Sequence, residues 1–243
     1  MSSRMCADHY SIRKDYKPFP ATTTLETVEG SYWTPERLRI SSTYQYDVYR
    51  TAYALANATS RIVDVGCGPA TKHKYFRSDS PDHPSLTLID QPSVRKVANE
   101  MEPDSPFVSM DLENPTHDIE AKFDIVICAD VLEHLLDPDP CIRLLKCLST
   151  RGGRILISTP DRDRLYGRDK LEPGNPFHVR EWSFGEFSSF LESRGLKILE
   201  HLILHQKRPR DLERLVDPWL DRLGIRMSRY SCQLAVCTVT EDE

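Results

Sequence analysis

The 243-residue chain has no apolar run near the ~20 residues that a membrane-spanning helix needs. Its start, MSSRMCADHYSIRKDY, lacks the apolar core of a secretory signal. Basic charge is also short: 32 Lys and Arg against 37 Asp and Glu leave a formal net charge of -5. That balance speaks against a nucleic-acid binder, whose surface would carry a basic face. The seven cysteines are an odd number without metal-ligand spacing. No zinc site is read, and reduced thiols are expected, with Cys67 and Cys128 acting as small hydrophobes in apolar segments. Repeats and low-complexity tracts are missing too. These absences lead to the expectation of a cytoplasmic protein, one elaborated domain long enough to bury a sizeable core, with neither membrane nor nucleic acid as a partner.

Hydrophobic runs of strand length alternate with helical stretches, the pattern of an α/β fold with a doubly wound, mostly parallel sheet. The most informative run is RIVDVGCGPA, residues 61–70: an apolar strand, an acid, then two glycines one residue apart. Such a turn lets backbone approach a ligand closely, and the helix that follows offers unpaired N–H groups, so a nucleotide-type ligand is expected. A dinucleotide fingerprint needs GxGxxG, but Thr71 stands where the third glycine belongs. Further strand-like stretches follow in order: LTLID closing on Asp90, FVSMDLEN, FDIVICADVLEHLLDP, RGGRILISTP, and finally GLKILEHLILH and SCQLAVCTVT.

Taken in order, these stretches resemble the class I S-adenosylmethionine-dependent methyltransferases over about residues 60–205. The first motif of that family reads acid, any, Gly, any, Gly, any, Gly or Ala, and Asp64, Gly66, Gly68 and Ala70 fall on those positions. The resemblance implies a Rossmann-like methyltransferase fold of seven strands, whose last two form an antiparallel hairpin at one sheet edge. It implies S-adenosyl-L-methionine as the cofactor, held at Asp64, Gly66, Cys67 and Gly68. By the same resemblance, Asp90 beside Gln91 takes the ribose hydroxyls, Asp111 takes the adenine amino group with Leu112 against the ring, and Ala129 ends the fourth strand. Simpler readings stand beside these: Asp90 as a cap before Gln91 and Pro92, and Asp111 as a loop carboxylate.

Methyl transfer from a sulfonium needs in-line positioning, exclusion of water and, for a hydroxyl acceptor, removal of a proton. A base belongs beyond the fourth strand, where Asp130, Glu133 and His134 share a face if DVLEHL forms a helical turn. His178 follows the fifth strand, at the carboxyl edge where α/β sheets bind ligands. In one reading His134 or His178 is the base. In another, Asp130, Glu133, His134 and His178 hold a divalent metal. In a third they only position loops. The pattern acid, any, any, Glu, His resembles the metal motif of small-RNA 3′-end methyltransferases and ubiquinone-pathway O-methyltransferases, although the first acid here is the shorter aspartate. No metal is assigned from the sequence. NPFHVREWS resembles bacterial methyltransferases of saccharide and secondary-metabolite modification. That likeness implies O-methylation of a small polar acceptor, a sugar or related metabolite. An N-methyltransferase of a small amine and a non-catalytic cofactor-binding subunit remain alternatives.

Residues 1–58 read as an N-terminal helical cap on a domain spanning 59–243. Thr34 and Pro35 start a helix that continues from about Glu36. Tyr32, Trp33, Tyr44 and Tyr46 either line an acceptor pocket or pack the cap. In the long loop after the fifth strand, Arg162, Arg164, Arg168 and Arg180 are candidates to meet an acidic acceptor and Trp182 to stack on a sugar. Ser183 and Glu186 have the spacing of a capping box. The arginine-rich insertion at about 206–230 reads as a solvated amphipathic elaboration, with contact to an anionic acceptor, a partner or a second subunit, such as a homodimer, as the sharper alternative.

Overall fold

The computed structural model describes residues 10–20, 34–77, 83–116, 119–225 and 227–240. Seven strands, β1 (Arg61–Val65), β2 (Ser85–Asp90), β3 (Phe107–Ser109), β4 (Phe123–Ala129), β5 (Ser149–Pro160), β6 (Leu196–Leu204) and β7 (Cys232–Val239), form one sheet in the order β3-β2-β1-β4-β5-β7-β6. The first five run parallel, and β7 is antiparallel to both β5 and β6. The strand order reverses between β1 and β4, which opens a crevice at their carboxyl ends.

Both faces of the sheet are covered, which is why these strands read as near-continuous apolar runs. Val63, Val65, Val126 and Cys128 join one core cluster, and Ile62, Ile125 and Ile127 join the other. The helices are α1 (Pro35–Ser41), α2 (Tyr46–Leu55), α3 (Arg95–Met101), α4 (Asp139–Leu148), α5 (Arg162–Tyr166), α6 (Phe184–Glu192) and α7 (Asp211–Arg222). Val48, Tyr49 and Ala52 of α2 pack on the Ile62 side, while Ile142, Leu144 and Leu145 of α4 pack on the Val126 side. Among the described residues, no helix is long and apolar enough to cross a membrane.

Thr34 caps α1 by accepting from Arg37 N, and Pro35 occupies its first turn. The helix expected from Glu36 is broken in two. Ser41, Ser42 and Thr43 each turn a hydroxyl onto the carbonyl three residues back, competing with helix propagation, and Gln45 adopts a φ of 50° before α2 begins. The aromatics Tyr32 and Trp33 lie outside the described residues. Tyr46 packs edge-on to Tyr75, and Tyr44 lines the cavity described below.

Residues 10–20 cross the other face, where Tyr10, Ile12 and Tyr16 are core residues. This strap overturns the substrate-facing reading of three residues in the loop after β5. Trp182 is fully buried, stacks on Phe190 at 5.0 Å and donates Nε1 to Tyr10 O, so it cannot meet a sugar. Arg162 and Arg180 are equally buried. The first donates to Glu181 O, while the second donates to the carbonyls of Leu135 and Leu136 with its guanidinium 4.2 Å from the Tyr10 ring centroid. Arg164 pairs with Asp221 of α7, and Arg168 stays exposed. Ser183 and Glu186 do form a capping box on α6.

Candidate active site

The crevice at the carboxyl ends of β1 and β4 holds a cavity of about 880 Å³. Its floor is the turn after β1, where Gly66 and Gly68 have φ of 75° and 54°, conformations that an L side chain rarely adopts. A Cβ on Gly66 would fall 2.3 Å from Val131 Cγ2, so the close approach of this turn to the loop after β4 requires glycine. Asp90 organises the turn: one carboxylate oxygen accepts from Gly68 N and the other from Gln91 N, both at 2.7 Å. Burial raises its pKa to about 6, opposed by those two backbone donors.

Gly66, Cys67, Gly68, Asp90, Gln91, Asp111, Leu112 and Ala129 all line the cavity. Asp64 departs from the expectation. It is fully buried behind the turn, where its Oδ2 accepts from Tyr49 OH at 2.8 Å and meets His73 Nε2 at 2.9 Å. Asp64 thus braces the glycine turn from the core rather than facing the cavity. Met110, Val94 and Lys72 line the cavity without having been singled out in the sequence. Lys72 lies in the buried class with its amine 5.1 Å from the Tyr49 ring centroid, and desolvation lowers its pKa. The donor set suits an adenosyl cofactor: carboxylates at the ends of β2 and β3 accept from hydroxyl and amino groups, with Met110 and Leu112 as apolar surface for a ring.

Beyond β4, Asp130 takes a φ of 54° and Leu132–His134 forms one 3-10 turn. This geometry separates residues that the sequence placed on one face. Asp130 turns toward the cap and β5, accepting from Gln45 Nε2 and, at 3.1 Å, from Ser158 Oγ. Glu133, His134 and His178 come together instead, with one potential ligand atom from each lying within 4.8 Å of the others. Asp130 is not part of that group.

The hydrogen bonds at the two imidazoles fix which nitrogen is left as a lone pair. His134 Nδ1 donates to Phe177 O at 2.8 Å, and burial with His178 alongside lowers its pKa to about 4, so it is neutral at physiological pH. His178 Nδ1 lies 2.6 Å from Glu181 Oε1, and Asn175 Nδ2 approaches its Nε2 at 3.0 Å. The rings meet edge to face at 4.7 Å. His134 and His178 line the cavity, whereas Glu133 lies fully buried behind it. Both Glu133 carboxylate oxygens lack a hydrogen-bond partner among the described residues, and burial pushes the carboxyl well above its usual range. Glu181, not singled out as a site residue in the sequence, is a fully buried acceptor behind His178. Its position three residues after a histidine was the one available signal.

The remainder of the cavity is lined largely by Ile40, Tyr44, Leu135, Leu165, Tyr166 and Phe177, with Arg37, Asn175 and Gln206 as polar members. Ser41, Gln45 and Glu113 add further polar lining, and Asp130, His134 and His178 face the same cavity.

Residues 38–201 match the sequence model of a family described as a methyltransferase domain. A ubiquinone biosynthesis O-methyltransferase of Aeromonas salmonicida is 28% identical over 105 residues, covering 42% of this chain and 44% of that protein. A probable S-adenosylmethionine-dependent methyltransferase of Mycobacterium tuberculosis is 33% identical over 96 residues, covering 39% of this chain and 34% of that protein. The aligned part is thus less than half the length of these curated relatives. Among solved structures, an O-methyltransferase of neocarzinostatin biosynthesis, in complex with S-adenosylmethionine and 2-hydroxy-5-methyl naphthoic acid, superposes with a TM-score of 0.55 at 14% identity, covering 83% of this chain and 54% of that one. The family match spans the glycine turn, both cavity acids and the histidine cluster, and the chain belongs to the methyltransferase-domain family, within the class I S-adenosylmethionine-dependent methyltransferases.

Proposed function

We propose that this protein methylates a hydroxyl oxygen on an acceptor with a flat, apolar body, using His178 as the base. The observation that carries the reading is the Glu181–His178 pair, whose imidazole lines the same cavity as the glycine turn. When bound, S-adenosylmethionine supplies an electrophilic methyl whose leaving group is a neutral thioether. The turn at Gly66 and Gly68, with Asp90 and Asp111, would hold the nucleoside, and the buried Lys72 would meet its amino-acid carboxylate. His178 Nε2 would take the hydroxyl proton while Glu181 stabilises the imidazolium that results. Asn175, which now approaches that nitrogen, would release it to the acceptor.

Support for an acceptor with an apolar face comes from Ile40, Tyr44, Leu135, Leu165, Tyr166 and Phe177 in the cavity lining. A sugar, the acceptor implied by the NPFHVREWS likeness, loses one contact argued for it, because Trp182 is buried away from the cavity. O-methylation rather than N-methylation accords with the presence of a carboxylate-backed base, and with the names of the ubiquinone-pathway relatives and the neocarzinostatin enzyme.

A second reading, metal-assisted transfer, is favoured by the unpartnered Glu133 carboxylate beside His134 and His178. A divalent cation held by those three side chains would lower the pKa of the acceptor hydroxyl. Asp130 would not be a ligand, since its oxygens accept from Gln45 and Ser158.

The test is titration calorimetry with S-adenosylmethionine beside NAD, then mass-spectrometric detection of methylated product over matched panels of phenols, sugars and amines. Binding of the first cofactor alone with phenol methylation is expected. Sugar or amine products would overturn the acceptor assignment. Turnover unchanged by EDTA dialysis would remove the metal reading, and turnover retained in His178→Ala would remove the base.

A further inference from the structure

Helix α7 is amphipathic in the reverse of the usual sense. Three of its charged side chains point into the molecule: Arg214 donates to Asp47 at 2.6 Å, Asp217 accepts two hydrogen bonds from Arg229 and lies 3.2 Å from His205, and Asp221 pairs with Arg164. Leu212, Leu215, Trp219 and Leu223, spaced so that they share one helical face, stand 71%, 75%, 58% and 58% exposed. Ile225, half exposed just past the helix, extends the patch. An apolar stripe of this size on a monomer marks an interaction surface.

We infer that α7 packs antiparallel against α7 of a second copy of this chain, forming a homodimer. The charges bordering the stripe select this occupant. Asp211 at the first turn and Arg222 at the last are both exposed, and they lie on the same flank of the stripe. A two-fold axis across the helix near its midpoint superposes like flanks while reversing direction. Asp211 of each copy then meets Arg222 of the other, Leu212 meets Leu223, and Leu215 meets Trp219. The same operation opposes the two helix dipoles. Parallel packing about a two-fold axis would carry the charged flanks to opposite sides of the seam, so Asp211 of one copy and Arg222 of the other would not meet. A self-complementary patch with isologous contacts is what closed two-fold symmetry requires. The inward salt links remain untouched, so the contact forms on a surface that is already built.

Sedimentation velocity on the full chain is the test. The wild type should move as a dimer of the 28.0 kDa chain at concentrations up to about 100 µM, in the range where a standard-sized interface is populated. Leu215→Glu combined with Trp219→Glu should give a monomer with unchanged circular dichroism. Asp211→Arg alone and Arg222→Asp alone should each weaken the dimer about tenfold, and the two together should restore it. A wild-type monomer at the highest concentration overturns the inference, and co-sedimentation of that monomer with anionic lipid vesicles would reassign the stripe to a membrane surface. A dimer that persists in the glutamate variant places the interface elsewhere. A charge-swapped double variant no tighter than the single variants excludes the antiparallel register.

Discussion

Glu181 concentrates three hydrogen bonds on one fully buried carboxylate, from Gly174 N, Asn175 N and His178 Nδ1. The third fixes the His178 tautomer, and the first two fix the loop that carries it. Replacing Glu181 with glutamine keeps the size and one acceptor oxygen but removes the charge that would stabilise an imidazolium. We expect Glu181→Gln to lower kcat by about 10²–10⁴-fold, the range of a general-base contribution, whose upper end is the loss when an amide replaces the carboxylate behind such a histidine. KM for S-adenosylmethionine should stay unchanged, and the acid limb of the pH–rate profile should move. A purely structural role would instead lower thermal stability and leave the profile in place. The sequence made His178 visible through its loop after β5, but it could not show that Glu181 turns back onto the ring. Asp64 misled for a related reason: its partners Tyr49 and His73 lie 15 and 9 residues away, on elements whose packing no local pattern encodes.

At the scale of elements, the strap of residues 10–20 and the loop after β5 hold each other. Arg180 lies between them, its guanidinium over Tyr10 and its donors on the carbonyls of Leu135 and Leu136, just beyond the histidine turn. Arg180→Ala would leave those two carbonyls without their charged donor and remove the surface on which Tyr10 rests. Each acceptor left unsatisfied costs about 1–3 kcal/mol where it is shielded from water, a large fraction of the stability of an ordinary domain. The denaturant midpoint should fall accordingly, whereas Arg168→Ala, an exposed residue of the same loop, should leave the unfolding free energy within about 0.5 kcal/mol of wild type. Equal midpoints for the two variants would refute this account. The arginines of this loop looked alike in sequence because burial is set by the strap, which lies some 150 residues earlier. The orientation of α7 escaped for the same kind of reason. Its stripe predicts which residues share a face, and only the ion pairs to Asp47, Arg164 and Arg229 decide which face turns inward. The strands were legible because continuous apolar runs ending in glycine turns leave few alternatives when both faces of a sheet are covered.

In the proposed cofactor site Asp90 would link cofactor binding to folding, because this carboxylate terminates β2, ties down the glycine turn and faces the cavity. Burial raises its pKa to about 6, above the ordinary carboxylate value of 3.8. The sign follows directly. A raised pKa means that the folded apo protein holds the proton more tightly than the unfolded chain, so this group favours the fold at low pH and loses that contribution as pH rises through about 6. Cofactor binding runs the opposite way, since accepting from two ribose hydroxyls needs the ionised carboxylate. One unit below a pKa of about 6, S-adenosylmethionine affinity should be about tenfold weaker at pH 5 than at pH 7.5. A tenfold change in Kd at fixed ligand excess is about 1.4 kcal/mol of ligand-linked stability. For a chain of this length, that corresponds to a cofactor-induced rise in Tm about 3–6 °C smaller at the lower pH. Asp90→Asn separates this group from the other acids near the cavity, Asp130 and Glu133, whose carboxyls are also raised by burial. The asparagine variant should bind weakly at both pH values with little difference between them. Differential scanning fluorimetry with and without S-adenosylmethionine, at pH 5 and 7.5, distinguishes the cases. A wild-type shift equal at both pH values would detach Asp90 from the ribose, whereas a pH dependence that survives in Asp90→Asn would move the linkage to the buried acids beyond β4.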